Sequence, residues 1–405
     1  MPETSEDAPA IRVVNSVMVE ALRLGASDIH IEPMEKLIRL RYRIDGLLYE
    51  SSSPPKALQA AIISRLKIMS NLDIAERRVP QDGRFKIRAM NKEVDIRLSL
   101  LPTVYGEKIV MRILDKEKGL VDLEELGFHE TEYERFNKII KRPNGIFLVT
   151  GPTGSGKTTT LYAALKNLNQ PDVKIITAEN PIEYNLTGIN QSEVRHEIGL
   201  GFQRILRAMM RQAPNIILVG EIRDIETAQI AVESSLTGHI VYSTLHTNDA
   251  PSSVTRILDL GLEPFLIAAT LEGVIAQRLA RRTCVQCKTP YDPTEQELYE
   301  LELTATETQG REFFFGKGCK ACNGTGYRGR VALFEMMLVN DRLRDLIMNA
   351  ASTAELRAAA REDGMRTLRD SGLLHIYDGI STIEEVVKET ISCLLYTSPS
   401  PRDRG

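Results

Sequence analysis

The chain has 405 residues, which at ~100–200 residues per domain is enough for two or three domains with their own cores and excludes a single small module. Its 51 Lys and Arg against 55 Asp and Glu leave a formal charge of −4. With no Trp and 5% aromatics, it has neither a basic nucleic-acid coat nor the rings for base stacking or a membrane-interface belt. The longest uncharged stretch, Ser234 to Asn248, contains Ser, Thr, His and Asn, so no segment reaches the ~18 apolar residues of a membrane span. Met1 to Ala10 lacks the basic and apolar regions of a secretory signal, and the expected compartment is the cytoplasm.

From the N-terminus, Ile11, Val14, Val17, Met18, Ala21 and Leu22 keep helical spacing until Gly25. Ile29 and Ile31 then alternate with polar neighbours. Leu40, Tyr42 and Ile44 alternate with Arg39, Arg41 and Arg43 before the Asp45-Gly46 turn, and a second helical stretch covers Lys56 to Leu72. Strand patterns return at Phe85 to Arg88, Val94 to Leu100 and Lys108 to Leu114, predicting a small mixed α/β domain over residues 8–118. Beyond the charged connection Asp115 to Glu125, short apolar runs alternate with helical patterns. The runs are Ile146 to Thr150, Lys174 to Ala178, Asn215 to Gly220 and His239 to Leu245, and the rhythm predicts a largely parallel sheet covered on both faces over residues 119–282. A Cys-, Gly- and Lys-rich stretch follows over 283–330, then a helical region over 331–392. Residues 393–405, CLLYTSPSPRDRG, lose periodicity and read as a non-native tail.

Gly151, Pro152, Thr153, Gly154, Ser155, Gly156, Lys157 and Thr158 fit GxxxxGK[ST], between the strand-like IFLVT and a helix-like run that starts at Thr159. The glycines let backbone N–H groups turn inward around phosphates, Lys157 reaches the β/γ oxygens, and the Thr158 hydroxyl can hold Mg²⁺; Thr159 belongs to the same ATP-binding set. A hydrolytic loop of this kind also needs a carboxylate after a second buried strand, and Glu221 ends the run NIILVG. Glu179 and Glu183 bracket Asn180-Pro181 after another run. Either alone is a solvated loop carboxylate, but both stand at carboxyl ends of strands, where open α/β sheets bind ligands.

Period two places Arg97 opposite Val94, Ile96 and Leu98, and Arg112 opposite Met111 and Ile113; exposed strand arginines read either as solvated faces or as functional groups. Arg207 and Arg211, four apart on one helix face, are a salt-bridged surface or a phosphate or intersubunit contact. His246 follows IVYSTL, where a γ-phosphate sensor sits and equally a satisfied polar histidine. Cys284, Cys287, Cys319 and Cys322 form CxxC–x31–CxxC, and two such knuckles can converge on one tetrahedral Zn²⁺ as four thiolates.

With these residues in view the chain resembles the cytoplasmic ATPases of type II secretion and type IV pilus assembly. The resemblance runs from Ala8 to Thr390 and rests on GASDIHIEP (Gly25 to Pro33), RVPQDGR (Arg78 to Arg84), the phosphate loop, VGEIRD (Val219 to Asp224) and LTGHIVYSTLHTNDA (Leu236 to Ala250). It implies a PAS-like α/β domain joined to a RecA-like motor domain with a tetracysteine insertion and a helical C-terminal region. It also implies a homo-hexamer, hydrolysis of Mg²⁺-bound ATP, and inner-membrane platform proteins as partners with no nucleic acid. Glu179 and Glu183 match the acidic box, Glu221 the Walker B glutamate that also serves Mg²⁺, and His246 the histidine box. Arg97 and Arg112 match the two arginines by which the smaller domain reaches the nucleotide, and Arg207 and Arg211 a basic pair near the active-site interface. The cysteine pattern resembles secretion and assembly motors, whereas retraction motors generally lack it.

Three positions depart from the family pattern. Asn180, Ala213 and Asn215 stand where members usually carry Asp, which predicts weaker negative charge near Mg²⁺ and an altered turnover rate. Many members also carry a further N-terminal domain that docks to a membrane-associated partner. Other readings are a pilus-retraction motor, a nucleic-acid motor and a low-turnover nucleotide-binding scaffold.

Overall fold

The computed structural model describes residues 7–114, 121–304 and 306–390, so the proposed tail at 393–405 and most of the charged connection lie outside the described residues. The chain divides into two compact units, residues 1–120 and 121–405. Both are α/β, as the hydrophobic patterning predicts.

The first unit is one antiparallel sheet of β1 (Asp28–Pro33), β2 (Ile38–Ile44), β3 (Leu47–Ser51), β4 (Gln81–Ala89), β5 (Lys92–Thr103) and β6 (Gly106–Leu114), in spatial order β3-β2-β1-β6-β5-β4. Helices Asp7–Leu24 and Gln59–Met69 pack on one face. Val14, Val17, Met18, Ala21, Ile62 and Leu66 meet Ile29, Ile31, Leu40, Ile96, Leu98, Ile109 and Met111 there, the alternate positions of each strand. The first helix ends where Gly25 takes φ 68° and Ala26 N–H closes onto Ala21 O at 2.9 Å, a left-handed stop that favours glycine.

β1 departs from expectation. Alternation predicts a strand with one wet face, yet all six residues are buried, Asp28, His30 and Glu32 among them. Long cationic side chains on the flanking strands cover this acidic column: Arg43 and Arg112 reach Asp28, while Arg41 and Lys108 reach Glu32. β3 and the 3₁₀ turn Lys56–Leu58 that opens the second helical stretch are also absent from the sequence reading.

In the second unit β7 (Gly145–Thr150), β8 (Ile175–Glu179), β9 (Asn190–Glu193), β10 (Ile216–Val219), β11 (Ile240–Leu245), β12 (Leu271–Thr283) and β15 (Tyr327–Leu338) form a sheet ordered β15-β12-β7-β11-β10-β8-β9, parallel except for the β12/β15 pair. β7, β8, β10 and β11 are buried throughout, so both faces are covered, as continuous apolar runs require. β13 (Lys288–Tyr291) and β14 (Phe313–Gly316) pair with each other inside the cysteine-rich segment. The expected break at Arg282 is a strand end instead. β12 and β15 make a long ladder from Gly273↔Leu338 to Arg281↔Arg330, and the cysteine-rich segment is the excursion between them. Gln277, Arg278 and Arg281 interrupt β12's apolar residues, so neither alternation nor a continuous run shows in the sequence. The helix expected to carry Arg207 and Arg211 on one face is α-helical over Phe202–Met209 and 3₁₀ over Met210–Gln212. Among the described residues no helix is long and apolar enough to cross a membrane.

Candidate active site and metal centre

The phosphate loop leaves the carboxyl end of β7 and enters the helix Lys157–Leu168, whose first N–H groups have no carbonyl to bond and face the loop. Gly151 takes φ 142°, and a Cβ there would stand 2.5 Å from Gln277 O and 2.6 Å from Ser155 Oγ. Gly156 takes φ 90° with Gln277 Nε2 2.7 Å from its would-be Cβ. The loop is therefore pressed onto β12, and Thr160 Oγ1 adds a 2.7 Å bond to Gln277 Oε1. Lys157 Nζ curls back onto Gly151 O at 2.8 Å and Pro152 O at 3.0 Å. Burial pushes its amine down to about 8, opposed by Glu221 and reinforced by the Arg278 guanidinium. Ser155 Oγ is buried with no hydrogen-bond partner among the described residues. An orphaned hydroxyl, a folded-back amine and a glycine cradle fit a nucleotide's phosphates. Thr158, exposed on the same helix, supplies the hydroxyl that would hold Mg²⁺.

Glu221 lies just beyond β10. Gly220 N–H donates to Ala178 O at 2.8 Å and Ile222 N–H to Thr244 O at 3.1 Å, which fixes the backbone on both sides of it. Its Oε2 accepts Arg223 Nε at 2.6 Å and stands 3.5 Å from His246 Nε2. The histidine loop is in turn stitched to β7: Thr247 N–H donates to Thr150 Oγ1 at 2.8 Å, and the two hydroxyls are 2.7 Å apart. Lys157, Glu221 and His246 thus share one site. Glu179, at the end of β8, is buried and accepts from Tyr162 Oη, Thr177 Oγ1 and Gln191 Nε2. Burial and that carboxylate together raise the Tyr162 phenol, which also accepts Glu183 N–H at 3.4 Å.

Two of the three departures fall away from the sheet edge that carries the phosphate loop. Ala213 and Asn215 precede β10 and Glu221 follows it, so at ~3.3 Å per residue Asn215 lies about 20 Å from Glu221 along the strand, and Ala213 is two residues further back. Asn215 Oδ1 accepts Lys174 N–H at 2.8 Å, holding the start of β8. The expectation of lost charge near Mg²⁺ is corrected for this pair, since neither residue lies at the carboxyl end of the sheet, whereas Asn180 is level with Glu221 in register.

Arg207 and Arg211 do not join the phosphate loop. Arg207 pairs with Glu226 at 2.7 Å, and Arg211 Nη1 donates to Arg207 O at 2.7 Å. Both line an open cavity of about 620 Å³ with His196, Gln203 and Arg204. Arg97 and Arg112, in the first unit, are direct cross-strand neighbours on β5 and β6. Sequence reasoning missed Gln277 and Arg278. Arg278 donates from Nη2 to Asn248 O and Oδ1 at 3.2 Å, and no motif marks either residue.

In the cysteine segment the four sulfurs lie within 4.8 Å of one another, with Cys284–Cys319 and Cys287–Cys322 at 3.8 Å and Cys319–Cys322 at 3.7 Å. Four thiolates at ~2.3 Å from a tetrahedral Zn²⁺ stand about 3.8 Å apart, so the set fits that ion. Burial works against the charged form of Cys322, but N–H bonds from Cys319 at 3.1 Å and Gly326 at 3.2 Å hold its thiol down at about 6. Burial pushes Cys287 up to about 12. Gly316 and Gly326 stack backbone on backbone, leaving no room for a Cβ at either.

Residues 3–388 match the family described as Type II/IV secretion system protein. The chain belongs to that family. It is 51% identical over 392 residues to the Type IV pilus assembly ATPase PilB of Myxococcus xanthus, covering 96% of this chain and 69% of that protein. It is 48% identical to the Type II secretion system protein E of Xanthomonas campestris, covering 96% and 68%. The crystal structure of the pilus retraction motor PilT with bound ADP aligns at TM-score 0.62 and 26% identity over 96% of this chain and 97% of that one. The Legionella pneumophila ATPase DotB shares the fold at TM-score 0.68 and 20% identity, over 92% and 94%.

Two measurements test this geometry. Phosphate favours the protonated amine, so with Lys157 near 8 in the empty site ATP affinity should weaken as pH rises through about 8, approaching about tenfold per unit. Equilibrium dialysis across that range should show this limb, and Lys157→Met should bind weakly and lack it. For the metal centre, elemental analysis of unchelated protein should find one Zn per chain. Cys284→Ser should lose it and lower the melting temperature, while nucleotide binding at the phosphate loop persists.

Proposed function

We propose that this secretion-family ATPase hydrolyses Mg²⁺-bound ATP to drive assembly of a pseudopilus or pilus. The observation that carries this reading is the convergence of Lys157, Glu221 and His246 at the carboxyl edge of one parallel sheet. Lys157 and the backbone amides of residues 151–158 hold the phosphates, and Thr158 holds Mg²⁺. Glu221 orients the attacking water, with Arg223 and His246 limiting its rotation. His246, 3.5 Å from Glu221, senses the γ-phosphate through it. The hydrogen bonds on Glu179 suit a carboxylate that fixes the sheet edge, with Glu183 beside it. Bound Mg²⁺ supplies the charge that offsets what develops on the transferring phosphoryl group.

Arg97 and Arg112 supply further cations to that charge, from their own or a neighbouring subunit. Arg207 and Arg211, on an open cavity, form a subunit contact in a homo-hexamer. The cysteine segment, 283–330, binds Zn²⁺ and is a subdomain of the motor. Platform proteins hold the assembly at the cytoplasmic face of the inner membrane. The tetracysteine geometry favours assembly over retraction, as do relatives at 47–51% identity named for type II secretion and pilus assembly.

Glu221→Gln should keep ATP binding and lose turnover by roughly 10²–10⁴-fold in a steady-state phosphate-release assay, since the amide keeps the shape without the charge. An equal loss of binding and turnover would remove Glu221 from this role. Mixing Arg97→Ala with Lys157→Ala subunits should restore activity only if the arginine acts on a neighbour's nucleotide, and wild-type turnover in both Arg97→Ala and Arg112→Ala would exclude the arginines from the reaction.

A further inference from the structure

Strand pairing in the first unit sets one row of side chains across five strands. Arg84 on β4 opposes Arg97 on β5, Arg97 opposes Arg112 on β6, Arg112 opposes Asp28 on β1, and Asp28 opposes Arg43 on β2. Direct cross-strand partners project to the same face, so four arginines and one aspartate share a line. Asp28 is 6% exposed, whereas the Arg112 side chain is 56% exposed. The buried carboxylate accepts Arg112 Nε at 3.1 Å on Oδ1 and Ser27 Oγ at 2.8 Å on Oδ2, and Oδ2 forms an ion pair with Arg43 Nε at 3.4 Å.

We propose that Asp28 is a positioning residue for Arg112: by holding that guanidinium through Nε, it fixes the plane from which the outer nitrogens can donate to phosphate oxygens. A guanidinium has five N–H donors in a rigid plane, so a bond through Nε fixes the plane while Nη1 and Nη2 can still donate to a second anion. An arginine on the open face of a strand otherwise samples many rotamers, and ordering it at the moment of reaction is costly. The carboxylate meets part of that cost in advance. Ser27 orders the carboxylate itself, and the burial of β1 on both faces keeps water from competing for it. Glu32 does not substitute, because Arg41 and Lys108 occupy it at 2.8 and 2.9 Å.

This inference rests on the proposed role of Arg112, and the test separates the two. Steady-state ATPase of the full chain is compared for wild type, Asp28→Asn, Arg112→Ala, the double variant, Arg112→Lys and Arg43→Ala, with thermal melting of each. Asp28→Asn should lower kcat by roughly 10–100-fold, the range of a charge-assisted hydrogen bond, with little change in KM for ATP. The double variant should be no slower than Arg112→Ala alone, since losses through one path do not multiply. Arg112→Lys leaves the buried carboxylate untouched. Its single nitrogen cannot serve Asp28 and phosphate from a fixed plane, so turnover should fall even if Asp28→Asn folds poorly. Arg43→Ala should keep kcat within about twofold, because the Arg112 bond does not need it. If Arg112→Ala turns over normally, the reading of Arg112 fails and this inference with it. If Arg112→Ala is slow while Arg112→Lys is normal, or the Asp28 and Arg112 losses multiply, or Arg43→Ala reproduces and masks Asp28→Asn, positioning by Asp28 is overturned and the role of Arg112 stands.

Discussion

The nucleotide site depends on one constraint, the parallel register of β7, β11, β10 and β8. Thr150 pairs with Leu245, Ser243 with Val219, and Val219 with Ala178, so Gly151, His246, Glu221 and Glu179 emerge within about one residue of the same level. No side chain could compensate for a slip. One residue of shift turns each strand's inner set outward, and in strands buried on both faces either choice leaves apolar residues badly packed. The chemistry is thereby assembled by hydrophobic burial far larger than any single contact within it. The polar bonds then refine it, as Thr244 Oγ1 on Gly220 O at 2.7 Å and the Thr150–Thr247 pair hold the loops that carry Glu221 and His246.

How much of this is legible in the sequence follows from the range of each interaction. The phosphate loop is local: eight consecutive residues, with glycines at 151, 154 and 156 that all take positive φ. Its flanking strand and helix are equally local in their periodicity. Glu221 and His246 become legible because each ends an apolar run in a parallel sheet, and topology converts strand ends into neighbours. Gln277 carries no such mark. Its importance arises because β12 lies beside β7 in space, which the intervening 126 residues conceal. Asn215 shows the converse. The family resemblance implies a position near Mg²⁺, but the direction of β10 puts Asn215 at the other end of the strand, where its side-chain oxygen accepts Lys174 N–H instead.

The first unit shows why alternation can mislead. Asp28, His30 and Glu32 alternate with Ile29 and Ile31 as in a half-exposed strand, and periodicity has no means of reporting that Arg41, Arg43, Lys108 and Arg112 will lie across them. Long cationic side chains bury carboxylates with their stems while keeping their charged ends near water. Burying an acid among such partners carries a desolvation cost that an apolar residue would not incur, so stability alone is a poor reason for it. Orientation is a better one, because a paired carboxylate fixes a guanidinium's plane as an apolar neighbour cannot.

β12 runs from the phosphate loop to the cysteine segment of the second unit. Gln277 supports the phosphate loop near the middle of the strand, and Cys284 follows its end, seven residues or about 23 Å further on. Between them the ladder with β15 continues through Ala280↔Val331 and Arg281↔Arg330, and Arg281 is held from outside by Glu385 at 2.6 Å. Those contacts owe nothing to the cysteines. At the far end Cys284 N–H meets Gly326 O at 2.9 Å, and the excursion between them packs Leu298, Leu301 and Phe313 against Ile376, Ile383 and Val386. Loop-closure cost grows only with the logarithm of length, so a four-thiolate clasp can order this segment without reaching into the sheet. The phosphate loop therefore draws its rigidity from the β7/β12 pairing and the Gln277–Thr160 bond, contacts in which the cysteines take no part.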